Sequence, residues 1–240
     1  MRAAALVLGA GQGRRLGASR PKALVAVAGR SLIAWSAEAL GRADRVEAIQ
    51  CVLPPETQIP EPFRAPARWL PPVTGGATRQ ASLARGLEGL EASWPDCGWV
   101  LVHDAARCLV EPADAERVLE RSRETGAAIP VLPVVDTLKE VRDGVVVRTL
   151  ARSQLVRVQT PQAFRLSLLR EALEKASREG FVGTDCASLV ERLGARVLTC
   201  PGRQGNWKVT GPGDLERAGS VLSERGAGPR PASAGKREGW

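Results

Sequence analysis

Apolar and polar positions along the 240-residue chain follow two periods in turn. Short runs of small, apolar or β-branched residues read as buried strands at Ala3 to Leu8, Val46 to Leu53, Trp99 to Val102, Leu155 to Val158 and Arg196 to Cys200. Between them lie stretches with apolar residues three and four apart. Ser31 is placed to cap a first helix through Leu40, with Leu32, Trp35 and Ala39 on one face. Thr78 is placed to cap a second, whose inner face carries Leu83, Leu87 and Leu90. Glu111-Pro112 starts a third that reaches about Glu124, with Pro112 near the first helical position. Further helices are expected from about Leu166 to Arg178, after Thr184 or Asp185 as cap, and from Pro212 to about Ser223. Strands that alternate with helices favour a parallel sheet in an α/β fold.

Three stretches break that rhythm. Residues 54 to 72 are rich in proline and read as a loop around one short strand near Arg68 to Leu70, while Ala23 to Ala28 reads as a short extended piece. Ala127 to Val135 is β-branched but interrupted by Pro130 and Pro133, so an edge or kinked strand is expected. In VVDTLKEVRDGVVVRTL, Asp143-Gly144 joins two β-rich pieces as a hairpin. This is expected to leave the main sheet as an arm at about 137–154, its Val145 and Val147 needing burial that a partner subunit could supply. Thr160, before Pro161, is held extended. One domain over residues 1–225 fits the length, and residues 226–240, rich in glycine, proline and charge, read as a disordered tail.

Composition narrows the partners. The net charge of +8 suits a phosphate-rich ligand or nucleic acid. Against nucleic acid, the arginines interleave with acids, as in ERVLERSRET, and the chain has no tyrosine and only three phenylalanines to stack on bases. No apolar run approaches the roughly 18–20 residues of a membrane span. Five scattered cysteines without a C-x-x-C pair argue against a disulfide framework or zinc site and for a reducing cytoplasm.

The candidate chemistry begins where the first strand ends, in LVLGAGQGRRLGASRPK. Glycines after a strand let the backbone approach a ligand, and successive free N–H groups there make an anion-binding concavity. Arg15 and Lys22 make that cradle strongly positive, which points to a polyphosphate. A dinucleotide fingerprint fails in both registers, since Arg14 or Leu16 stands where the last glycine should be. A P-loop also fails, because Lys22 follows Pro21 and precedes Ala23. Gly75-Gly76 before the second helix, with Arg79 and Ser82 on its first turns, reads either as an ordinary turn or as a place for an anion or a base and ribose. Asp104, just past a buried strand, can accept from a hydroxyl, face a phosphate-bound Mg²⁺, or cap the next turn; Arg107 can clamp a phosphate or pair with Asp104.

Taken in order, G-x-G-R-R-x(6)-P-K, G-G-x-x-R-x-x-S, H-D-A-A-R, D-T-x-K, T-P-Q-x-F, T-D-x-A-S and N-x-K-V-T span Ala3 to about Leu222. The set resembles the 2-C-methyl-D-erythritol 4-phosphate cytidylyltransferase family. That resemblance implies a Rossmann-like, mostly parallel nucleotidyltransferase sheet, an arm-exchanging homodimer, CTP, methylerythritol phosphate and Mg²⁺. By motif, Ala10, Gly11, Gly13, Gly76 and Ser82 would hold the cytidine triphosphate, and Arg15, Lys22 and Lys208 would surround its phosphates. Asp104, Arg107, Thr137, Arg152, Thr160 and Thr184 would face the acceptor, with Arg152 and Thr160 serving a neighbouring subunit's site. The metal would be held mainly by CTP, with Asp104 the one protein ligand considered. Cys108 stands where the family usually has proline, a departure that removes no charge. The alternatives are a ribitol-5-phosphate cytidylyltransferase, another sugar-phosphate nucleotidyltransferase, or a basic module that binds nucleotide or nucleic acid without turnover.

Overall fold

The structure, a computed structural model, describes residues 2–11, 21–59 and 61–226. The first strand, β1 (Ala3–Leu8), is buried along nearly all its length and pairs in parallel with two neighbours, as its unbroken apolar run requires. A one-turn 3₁₀ helix (Lys22–Leu24) leads into the two-residue strands β2 (Ala26–Val27) and β3 (Arg30–Ser31), which pair with each other. Helix α1 (Leu32–Leu40) starts at Ser31, whose hydroxyl accepts from the N–H of Ala34. Strand β4 (Val46–Leu53) returns beside β1, and the short β5 (Arg68–Trp69) and β6 (Val73–Thr74) extend the sheet beyond it. Helix α2 (Arg79–Ser93) then carries the chain back across β1 to β7 (Trp99–Asp104).

Helix α3 (Pro112–Ser122) opens on the Glu111–Asp114 capping box and leads to β8 (Ala127–Pro133). After the hairpin β9 (Lys139–Arg142) and β10 (Val145–Thr149) come β11 (Val156–Val158) and β12 (Gln162–Arg165), helix α4 (Leu166–Arg178) and helix α5 (Cys186–Leu193). Strand β13 (Leu198–Pro201) and helix α6 (Pro212–Gly226) complete the order. β12 runs antiparallel between β7 and β8, an inversion absent from the sequence reading, which left Gln162 to Arg165 without a strand.

Two cores flank the sheet because alternate residues of β1 point to opposite faces. Ala3, Ala5 and Val7 pack with Ile33, Leu40, Val118 and Leu119 from α1 and α3. Ala4 and Leu6 pack with Leu83, Leu87 and Leu90 of α2 and with Leu169 and Leu189 of α4 and α5. Gly86 permits that contact: a Cβ there would stand 2.8 Å from both methyls of Leu6. Helix α6 closes a smaller cluster, where Ala218 and Leu222 meet Val27, Leu32 and Val209.

Two expectations change. β8 is not an edge strand, for it hydrogen-bonds to β11, β12 and β13; its prolines sit among partners that each pair with only part of its length. The hairpin does leave the main sheet, forming its own two-stranded ladder, but Val145, Val146 and Val147 are all exposed in the single chain. Nearly all of the expected tail, residues 227–240, lies outside the described residues.

Candidate active site

Strand order runs β7-β1-β4-β5, so the chain leaves β1 toward one side and returns on the other. The carboxyl ends of β1 and β7 thus flank a topological switch point, where open α/β sheets bind ligands. The turn after β1 is drawn tight there. Gly9 donates to the carbonyl of Val52 at 2.8 Å, and a Cβ on it would lie 2.6 Å from the Ile33 Cδ1 methyl. The N–H of Ala105 reaches the Leu8 carbonyl at 3.0 Å, tying the two strand ends together.

Two adjoining clefts open at this rim. One, of about 280 Å³, is lined by Gly11, Lys22, Arg79, Asp104, Lys208 and Thr210 among others. The second, of about 600 Å³, is lined by Ala10, Gly11, Gly75, Gly76, Ser82 and Arg85 among others. Gly11 and Arg79 belong to both. Lys22, from the start of the chain, and Lys208, from near its end, therefore face one cleft. The nucleotide candidates Ala10, Gly11, Gly76 and Ser82 gather around the other. Gly13 and Arg15 lie outside the described residues.

Asp104 is the electrostatic hub. Lys208 Nζ meets its Oδ2 at 2.8 Å, and Arg79 Nη2 meets its Oδ1 at 3.2 Å. Burial alone would raise its pKa, but the two cations outweigh burial and hold the carboxyl well below the usual carboxylate range. Arg79 also directs Nη1 at the Cys186 sulfur, 3.4 Å away, and burial keeps that thiol protonated. Sequence reading placed Arg79 as a cation near the glycine pair without foreseeing its carboxylate partner. The spacing of G-G-x-x-R to the helix start was the available signal, while the partner comes from a strand 25 residues away.

Lys208 is presented from a segment pinned on both sides. Asn206 donates from Nδ2 to the Thr160 carbonyl at 2.9 Å, and the N–H of Val209 reaches the Ala106 carbonyl at 2.8 Å. Arg107 completes the pinning. Its Nη1 donates to the Asn206 carbonyl at 2.9 Å and its Nη2 to the Val158 carbonyl at 3.2 Å. In this arrangement Arg107 braces the rim, with both terminal nitrogens turned to backbone oxygens. Ser82 likewise shapes its loop, accepting from the N–H of Gly76 at 3.1 Å and donating to the Thr78 carbonyl at 2.9 Å.

The acceptor candidates divide. Thr160 accepts from the N–H of Asp104 at 3.1 Å, because the inverted β12 begins where β7 ends. It therefore sits buried beside Asp104 of its own chain and is not among the residues lining the smaller cleft. Thr184 is exposed just before Asp185, whose Oδ2 accepts from the buried Gln162 at 2.7 Å. Thr137 and Arg152 flank the hairpin, exposed, and neither lines the cleft; Arg152 donates to the Val135 carbonyl. Sequence reading missed the buried polar girders His103, Gln159, Gln162 and Asn206, of which only His103, a lone histidine ending an apolar strand, was conspicuous.

No group of three or more His, Cys, Asp or Glu gathers among the described residues, so a dedicated metal cage is absent there. Asp104 is the one carboxylate among the described residues that line the smaller cleft. That donor set fits a hard cation carried by a polyphosphate, which needs few protein oxygens.

A mostly parallel sheet with cations gathered at its switch point, beside a glycine-lined cleft, places the protein among the α/β nucleotidyltransferases. The comparisons are more specific. The family model for 2-C-methyl-D-erythritol 4-phosphate cytidylyltransferase matches residues 3–224, and the chain belongs to that family. It is 43% identical over 226 residues to the cytidylyltransferase of Synechococcus sp. (strain WH7803), covering 92% of this chain and 99% of that one. A bifunctional IspD/IspF enzyme of Nitrobacter hamburgensis is 44% identical over 225 residues, which is 92% of this chain and 55% of the longer protein. Among solved structures, the cytidylyltransferase of Thermus thermophilus superposes with a TM-score of 0.75 at 39% identity, over 92% of this chain and 98% of that one.

Proposed function

We propose that the protein transfers CMP from CTP to 2-C-methyl-D-erythritol 4-phosphate, giving 4-diphosphocytidyl-2-C-methyl-D-erythritol and pyrophosphate in non-mevalonate isoprenoid precursor synthesis. The observation that carries this reading, beside family membership, is that Lys22 and Lys208 line one cleft with Asp104 while Gly11, Gly76 and Ser82 line the next. A phosphate oxygen of the acceptor attacks the α-phosphorus of CTP, a new P–O bond forms, and the bond to the β-phosphate oxygen breaks. Pyrophosphate leaves with that electron pair. The attacking monoester is already anionic at neutral pH, so no general base is needed. The one histidine is buried in structural hydrogen bonds.

The work left to the protein is to hold two anions together and to stabilise charge on the transferring phosphoryl group. Lys22 and Lys208 take the α-phosphate, compact ammonium groups in a chain that has 34 lysines and arginines but only five lysines. Arg15 takes the triphosphate. Asp104 orients Lys208 and Arg79 and accepts from acceptor hydroxyls, with Arg107 bracing the rim and Thr160 and Thr184 beside it. Mg²⁺ carried by the triphosphate would supply charge neutralisation, and Asp104 is the carboxylate that could help hold it.

The exposed valines of the hairpin support a homodimer in which Thr137 and Arg152 reach the neighbouring site. Five buried cysteines without disulfides, and no helix among the described residues long and apolar enough to cross a membrane, support a cytoplasmic place of work. Residues 1–225 are read as one catalytic unit with its arm at about 137–154, and 226–240 as a tail.

The test is pyrophosphate release with each of the four nucleoside triphosphates against methylerythritol phosphate and ribitol 5-phosphate, with and without Mg²⁺. Release only with CTP, methylerythritol phosphate and the metal is expected. Preference for ribitol 5-phosphate, or no release at all, overturns the assignment.

A further inference from the structure

With a neutral His103, the hydrogen-bonding protons around the end of β7 can be placed in only one way. His103 is completely buried and is the sole histidine of the chain. Its Nε2 lies 3.3 Å from the carbonyl oxygen of Arg107, and its Nδ1 lies 3.1 Å from Thr160 Oγ1. A carbonyl oxygen only accepts, so Nε2 carries the ring proton. A neutral imidazole has one such proton, which leaves Nδ1 a bare acceptor. The ring is wholly buried and neither nitrogen faces a carboxylate, so it stays neutral. Thr160 must then donate its hydroxyl proton to Nδ1. The same oxygen already accepts from the N–H of Asp104 at 3.1 Å. Thr160 is left with one lone pair and no proton to offer.

We infer that His103 is a positioning residue: by taking the hydroxyl proton of Thr160 it turns that threonine into an acceptor only, suited to a polyol hydroxyl and unsuited to a phosphate oxygen. The inference rests on the proposed reading that Thr160 faces the acceptor, and it fixes that molecule's orientation. A phosphate oxygen beside Thr160 would set lone pair against lone pair. The hydroxyl end of the acceptor therefore lies at Thr160, and the phosphate end lies toward Lys22 and Lys208. The Thr160 carbonyl, held by Asn206, prevents the peptide from rotating to offer a different edge.

Because the chain has one histidine, the tautomer is directly observable. Long-range ¹H–¹⁵N spectra of the untagged protein at pH 7 are expected to show a neutral ring protonated at Nε2. A ring protonated at Nδ1, or a charged ring, overturns the inference whatever the protein's substrate.

Two variants separate the ring's two edges. His103→Asn keeps an acceptor near the Nδ1 position, whereas His103→Gln keeps a donor near the Nε2 position and frees the Thr160 proton. With methylerythritol phosphate as acceptor, His103→Gln is expected to raise its KM about tenfold, the effect of one hydrogen bond, with KM for CTP within about twofold. His103→Asn stays near wild type. In a Thr160→Val background the difference between the two variants vanishes. Equal KM values for Asn and Gln at position 103, or a difference that survives in Thr160→Val, overturn the inference. If the wild-type protein releases no pyrophosphate from CTP and methylerythritol phosphate, the functional reading falls instead, and the spectra still decide the tautomer.

Discussion

Replacing His103 by asparagine removes the only side chain whose ordinary titration falls between pH 5 and 7. In the folded protein, burial lowers the pKa of this ring from 6.5 to about 4; Asp104 opposes the shift and Arg107 reinforces it. The unfolded ring therefore takes up a proton below about pH 6.5, while the folded ring resists until about pH 4. Acidification across that window favours the unfolded state, so the stability held by the neutral ring is complete above pH 6.5 and is lost as pH falls toward 4. At about 1.4 kcal/mol per pH unit, the span corresponds to roughly 3 kcal/mol. Asp104 does not confuse the reading. Its depressed pKa withdraws stability only below the ordinary carboxylate range, at the acid end of the window. Urea unfolding at pH 7.5, 6.5, 5.5 and 4.5 gives the difference between wild type and His103→Asn at each pH. The asparagine variant is less stable at neutral pH because a smaller side chain fills the site. Its deficit should shrink by roughly 2–3 kcal/mol between pH 7.5 and 4.5. A deficit that stays constant over that range refutes the assignment of a buried, neutral ring.

Three other outcomes follow from the geometry. Lys22→Met and Lys208→Met should each lower kcat by about 10²–10³, the cost of one donor to developing charge. The Lys208 side chain is 42% exposed, so loss of its pair with Asp104 should move the urea midpoint little, and a near-normal kcat in either variant would remove its proposed role. Gly75→Ala should raise KM for CTP more than KM for the acceptor, since the new Cβ would stand 2.3 Å from the Ala10 Cβ and push the two glycine turns apart; unchanged KM for CTP would count against the larger cleft as the nucleotide site. Val146→Asp on the exposed hairpin should shift the protein toward monomer in sedimentation and reduce activity together with it, and an active monomer would refute the shared-site reading.

Much of this frame was legible because local chemistry and tertiary context agreed. β4 occupies Val46–Leu53, as its β-branched run before Pro54-Pro55 marked, and α4 occupies Leu166–Arg178, close to the range read from the sequence. Ser31 and Thr78 cap the helices they precede, and Asp143-Gly144 turns the hairpin with both residues at positive φ. β12 was not legible, because four residues, Gln162 to Arg165, between a proline and a helix carry no period of their own; pairing with Val100 to Val102 makes them a strand. β8 misled for the opposite reason. Pro130 and Pro133 mark an edge locally, yet the strand is paired by three partners. The site was half legible. The residues proposed to face ligand fell in compact motifs, but Arg79, Asn206 and Gln159 act through partners 25 to 46 positions distant, and one sequence carries no trace of such pairs.

The inverted strand β12 also divides responsibility within the molecule. The turn after β1 and the head of α2, both from the first 90 residues, line the larger cleft, whereas Thr137, Arg152 and Thr160, the residues proposed to meet the acceptor, come from the segment between β8 and β12. The Arg79–Asp104–Lys208 bridge joins the two territories. Redesigning which alcohol phosphate is accepted should then be possible within residues 133–165, leaving the choice of base untouched, so long as that bridge is preserved.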